Sequence, residues 1–269
     1  MNHLQFASYT RTKRRGPTSK SLTFGIAFQE KTMTRHSVRT SAWRCTILGI
    51  MLGLARQASA QDAKTPYPSM APLEQYLMER NSEIALARSA APDSISADAG
   101  VLVLNRDGYE TVARATNGFV CLVQRSWMAG IEDPDFWNPK LRAPICLNAP
   151  SVRSFLPLII RRTELVLAGR SKSQIFEATG AAIKRKELPT PEPGAMCYMM
   201  SKQGYLSDRG GHWRPHLMFF TPYIEPAAWG ANLKGSPVLA FDDSIEHMTV
   251  FLVPVGRWSD GTAAPEPAH

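Results

Sequence analysis

Short apolar runs of strand character form two groups, one towards each end of the folding region, with helical periodicity ahead of the first group and between the two. That order constrains the fold more than any other feature. Val101 to Leu104, Tyr109 to Ala115 and Phe119 to Arg125 form the first group; Ala195 to Met200, His216 to Thr221, Val238 to Phe241 and Met248 to Val255 form the second. Strands that do not alternate with helices exclude a doubly wound parallel sheet. The expected fold is α+β: a mainly antiparallel sheet, built from an N-terminal meander and C-terminal strands, covered by helices on one face. Asp107-Gly108 and Asn117-Gly118 separate the first three runs. Both dipeptides tolerate positive φ and favour tight hairpins, so a three-stranded antiparallel meander is expected there.

Three helices are expected. Leu73, Tyr76, Leu77, Ile84 and Ala87 share one face of a helix from Pro72 to Ala90. A second helix spans Ser151 to Ala168, interrupted at Pro157 and ended by Gly169. Ser171-Lys-Ser-Gln174 has the spacing of a capping box and opens a third, which runs to about Lys186. The proline-spaced stretch from Leu188 to Gly194 reads as a stiff connector within one domain.

The first 60 residues have a different character. From Met33, Arg35, Arg39 and Arg44 precede the apolar run Cys45 to Ala55, and Ala58-Ser59-Ala60 follows it. Basic, apolar and small-residue segments in that order are the pattern of a cleaved secretory leader. The run is too short for a spanning helix, which needs about 20 apolar residues. Cys45 precedes the run and so does not fit a lipoprotein anchor, and Arg14-Arg15 lie too far upstream for twin-arginine export. The expected organisation is a leader over 1–60 with its true start at Met33, so that the signal peptide is 33–60. A flexible segment over 61–70, one domain over 71–259 and a disordered tail over 260–269 follow. The protein is expected to be periplasmic or secreted, cleaved near Ala60, without a transmembrane anchor.

Charge follows the same division. The whole chain carries 31 Lys and Arg against 23 Asp and Glu. Residues 1–60 hold ten of the bases and one acid, Glu30, which leaves 21 bases against 22 acids in the remainder. The basic excess therefore belongs to the leader and gives no reason to expect a nucleic-acid partner. Of Cys121, Cys146 and Cys197, the first two sit in neighbouring apolar runs and are the expected disulfide. The alternative is three buried, inert thiols.

No G-x-S-x-G, H-E-x-x-H, C-x-x-C, P-loop or dinucleotide-binding glycine pattern occurs, and no calcium-loop spacing. No cofactor is expected. The densest run of chemically able residues is Ser201 to His216, with Tyr205, Asp208, Arg209, His212, Trp213, Arg214 and His216. His212 and His216 could ligate a metal with Cys197 or His247, but Gly210-Gly211 and Pro215 deny them a helical face. Cys197 with one of those histidines, and Asp208 as orienter, is a nucleophile reading. Against both stands a polar connection anchored by Trp213. Tyr205, Arg209, Trp213 and Trp137 are the candidate ligand-binding residues. Trp137 belongs to a second loop, Ile131 to Lys140, whose Asp133, Asp135 and Asn138 suit a sugar or merely shape the loop.

The segments Gly194-Ala-Met-Cys-Tyr-Met-Met-Ser-Lys-Gln-Gly-Tyr205 and Gly211-His-Trp-Arg-Pro-His-Leu-Met-Phe-Phe220 resemble a group of exported bacterial proteins of unknown function. The likeness runs from about Ala71 to Gly261. It implies export and a single domain, and carries no activity or site residue. The favoured expectation is a non-catalytic periplasmic module that binds a small molecule or an envelope protein. The alternatives are a Cys/His- or metal-dependent hydrolase using 197–216, and a structural envelope interaction protein.

Overall fold

A computed structural model describes residues 66–208 and 213–265. The expected leader, its start at Met33 and its cleavage site lie outside the described residues, as do 61–65, Arg209, His212 and 266–269. Among the described residues no helix is long and apolar enough to cross a membrane.

The fold is α+β, as expected: an eight-stranded, mostly antiparallel sheet with five α-helices. The strands are β1 (Gly100–Asn105), β2 (Gly108–Ala113), β3 (Val120–Gln124), β4 (Ala143–Leu147), β5 (Met196–Met199), β6 (His216–Pro222), β7 (Leu239–Asp243) and β8 (Met248–Pro254). Their order across the sheet is β2-β1-β3-β4-β5-β6-β8-β7.

The expected meander is corrected. β1 and β2 do form a hairpin, but β3 pairs parallel to the far side of β1, through Gly100↔Val120 and Val101↔Cys121. β2 is half exposed and polar at Glu110 and Thr111, whereas β3 is apolar on both faces and buried along most of its length. A strand of that kind needs a neighbour on each side. Asn117-Gly118 therefore turns the chain across the end of β1. The Asn117 amide donates to Ile95 O at 2.7 Å, and Gly100 N donates to Phe119 O at 2.8 Å.

The first expected helix is also divided. A short 3-10 turn, Leu73–Gln75, precedes α1 (Arg80–Arg88). The carbonyls of Gln75 and Tyr76 accept from the guanidinium groups of Arg142 and Arg125, at 3.0 and 2.7 Å, in place of helical N–H groups. α1 then starts afresh on Glu79, whose carboxylate accepts from Asn81 N and Ser82 N. A one-turn α2 (Asp93–Ser96) follows. The second helix is realised as α3 (Ala149–Ser154) and α4 (Leu156–Leu167), with Pro157 in the first turn of α4, where its missing N–H costs nothing. The capping box at Ser171 forms in full and opens α5 (Lys172–Lys184).

Helices do not lie on one face only. Val101, Val103, Cys121, Val123 and Cys146 pack against Leu86 and Ala87 of α1 and Ala90 just beyond it. The alternate residues Leu102, Leu122, Ile145 and Leu147 pack with Phe155, Leu158, Ile159 and Ala182 of the α3–α5 side. The cause is again compositional: β1, β3 and β4 are apolar at nearly every position, and both faces must be removed from water. Cys121 and Cys146 are cross-strand partners and form a disulfide that closes a 25-residue separation.

At the far edge, β7 is exposed, yet the Asn232 side chain accepts from Ala240 N and donates to Ala240 O. One amide thus occupies part of the edge on which another strand would pair. The segment expected to be a disordered tail is ordered as far as residue 265. Trp258 N donates to Thr262 O, Ser259 N to Met200 O, and Ala264 packs against the core.

Candidate functional site

The two suspected loops and the segment ahead of the domain converge. Tyr205 exchanges both backbone hydrogen bonds with Arg142, at 2.8 and 2.9 Å, which brings the 201–208 stretch beside the end of the 131–140 loop. Asp208 then gathers three partners. Its carboxylate accepts from the hydroxyls of Tyr205 and Tyr67, and Lys140 Nζ lies 3.2 Å away. These bonds, the tyrosine donors foremost and Lys140 after them, hold the Asp208 carboxyl down at about 2. The same carboxylate raises both tyrosine hydroxyls and the Lys140 amine. Tyr67 comes from the segment expected to be flexible. Its hydroxyl ties that segment to the domain.

Beside this cluster opens a cleft of about 670 Å³, lined by Tyr67, Met70, Asp133, Trp137, Arg170 and Lys172 among others. Trp137 is almost fully buried. Its carbonyl accepts from Tyr76 at 2.8 Å, and its ring stands edge-on to Phe136, so it is a fixed wall. The polar residues of its loop mostly bind one another. Asp133 accepts from Asp135 N, Asp135 from the Asn138 amide, and Asn138 from Lys140 N. Asp135 and Asn138 are buried, while Asp133 lines the cleft.

The opposite wall is the start of α5. Arg170 and Lys172 flank its cap, Ser171, and neither makes an ion pair among the described residues. Lys172 Nζ sits 5.3 Å from the centre of the Phe136 ring. Cations at a helix N-terminus face the positive end of the helix dipole, an unfavourable position. An anion drawn into the cleft would relieve it. That conflict between Arg170-Ser171-Lys172 and the capping box was visible in the sequence, but only as a helix start. Nothing marked it as the wall of a cleft.

The other candidates have structural surroundings. Trp213 is buried, donates to Ser201 O at 2.9 Å, and packs so closely on Gly204 that a Cβ there would lie 2.4 Å from the indole. It lines the core and not the cleft. His216 begins β6 with Nδ1 2.7 Å from Arg214 O; a carbonyl only accepts, so Nδ1 carries the proton. Burial lowers the pKa of this imidazole. Cys197 lies fully buried within β5, and desolvation pushes its thiol far above the ordinary range. His247 sits at a positive-φ turn position beside Ile245 and lines a different groove, against α5. Among the described residues, no three His, Cys, Asp or Glu side chains are grouped to hold a metal.

Comparison with protein-family models, with curated proteins and with solved structures finds no match.

Proposed function

We propose that the protein is a non-catalytic binding module of the bacterial cell envelope, exported by its leader, which takes a small acidic molecule into the cleft between Trp137 and the start of α5. The observation that carries this reading is the pair Arg170 and Lys172, unpaired cations on a wall facing a rigid indole. A carboxylate or phosphate would meet the cations and the free N–H groups of the first turn of α5. An apolar or sugar-ring body would lie towards Trp137 and Met70. The buried Cys197 thiol, which cannot supply a thiolate, speaks against the hydrolase alternative.

Calorimetric titration with a panel of sugar acids, sugar phosphates and aromatic carboxylates tests this. At least one member is expected to bind, and Arg170→Ala/Lys172→Ala to weaken it by at least tenfold. A ligand bound equally by the double variant, or none bound from the panel, sinks the proposal. A second reading, an envelope interaction protein, is supported by surface composition: Tyr223, Trp229, Leu233, Leu239 and Phe241 are large, exposed and close in sequence around β7. Concentration-dependent mass in solution separates the two readings.

A further inference from the structure

A second cavity, of about 220 Å³, lies beneath the β7–β8 hairpin, away from the cleft described above. Its walls are Met128, Met218, Met248, Phe155 and Phe220, and the exposed Phe241 stands at its mouth. Phe155 and Phe220 are stacked with ring centres 4.0 Å apart, so one wall is flat and fixed. Three methionines supply the rest, with unbranched side chains that adapt to the shape of an apolar guest.

The polar residues at this cavity are almost all acidic: Asp242, Asp243 and Glu246, with Gln124 as the neutral exception. Glu246 is buried and ion-pairs with Arg162. Asp242 and Asp243 have no cation among the described residues. Asp242 accepts from the Thr249 hydroxyl at 2.8 Å, and Asp243 from the backbone N–H groups of Ile245 and Glu246 at 2.9 and 2.7 Å. Arg162 is committed elsewhere as well, to the carbonyls of Trp127 and Ala129 and to the face of Phe176. Three carboxyl groups around an apolar cavity thus have one cation among them.

We infer that this cavity binds a small apolar amine, its hydrocarbon body against the methionines and the Phe155–Phe220 pair, its ammonium between Asp242, Asp243 and Glu246. The apolar walls alone would accept a neutral or anionic molecule equally well; the unbalanced carboxylates select the cation. An ammonium also has three donors, which suits a cavity lined by three carboxyl groups.

The test uses 2-phenylethylamine with phenylacetate and 2-phenylethanol, which keep the aromatic body and change only the charge. Protein labelled at the methionine methyl carbons is titrated by NMR. The amine is expected to shift the Met128, Met218 and Met248 signals saturably and to bind at least tenfold tighter than the acid or the alcohol. In Asp243→Asn/Glu246→Gln that preference should fall below threefold, while binding of the alcohol is retained. Should that variant fail to fold, the exposed Asp242→Asn is expected to reduce the preference at least twofold. Equal affinities for the three probes, no saturable shift at those methionines, or a preference that survives substitution would each overturn the inference.

Discussion

Two buried arginine–glutamate pairs sit on the two halves of this molecule, and they are built differently. Arg125 and Glu83 are both fully enclosed, 2.8 Å apart. Each of their side-chain nitrogen and oxygen atoms has a hydrogen-bond partner. Arg125 also donates to Tyr76 O and Val123 O, and Glu83 accepts from Leu104 N at 3.1 Å. That pair joins α1, β1, β3 and the 3-10 turn through backbone groups. Arg162 and Glu246 are buried too, yet Arg162 Nε has no hydrogen-bond partner, and Glu246 lines the cavity beneath the β7–β8 hairpin. The first pair serves the architecture, where a charge stands in for backbone partners. The second leaves a buried guanidinium nitrogen unpaired, and its glutamate borders an open space.

The comparison breaks or holds on measurable differences. The largest effect is expected from Arg125→Met, which strands the Glu83 carboxylate and the Tyr76 carbonyl; urea unfolding should show a loss of about 3–5 kcal/mol. A loss below about 1 kcal/mol would place this pair with ordinary surface bridges. Next come the double replacements. Arg162→Met/Glu246→Leu should change stability by no more than about 1 kcal/mol, because two charges and their desolvation disappear together and the bonds given up to the Trp127 and Ala129 carbonyls are long, at 3.3 Å. Glu83→Leu/Arg125→Met should still lose at least about 2 kcal/mol, since the Leu104 N–H and the Tyr76 carbonyl remain buried without partners. Similar results from the two doubles would erase the distinction.

The smallest effect is a pH dependence. Burial first, and then Asp243, push the Glu246 carboxyl up to about 7, against the opposing pull of Arg162. A carboxyl that keeps its proton in the folded chain but loses it when unfolded stabilises least at high pH. Its contribution therefore declines as pH rises from about 4.5 to about 7 and is level above that. The groups facing it are Arg162, Asp243 and, across the cavity, Asp242. The melting temperature of Glu246→Gln should lack this component of the slope. An unchanged slope would mean that Glu246 titrates normally.

Much of the architecture was legible because it rests on local chemistry. The capping box at Ser171, the stop at Gly169 and the start of β6 at His216 follow from residues within a few positions of one another. The Cys121–Cys146 disulfide was legible as a pairing of neighbouring apolar runs. The meander was misread because Asn117-Gly118 has the chemistry of a hairpin turn. Only the need of β3 for two neighbours sends the chain past β1 instead. The helix from Pro72 was overextended because nothing near Tyr76 discloses that arginines at 125 and 142 will claim its carbonyls.

The candidate cleft was half legible. Trp137 and Asp208 were singled out for their side-chain chemistry, but Tyr67, Arg170 and Lys172 were not, since they lie far apart in sequence and each looks ordinary alone. By itself, then, the sequence determined the fold class, the stop at Gly169 and the start of α5 at Ser171, and which cysteines pair. Turn chemistry, capping and apolar periodicity act over a handful of residues. The tertiary structure decided the strand order, the use of both sheet faces and the two cavities. Those depend on which distant surfaces meet once both faces of a strand must leave water and every buried carbonyl must find a donor.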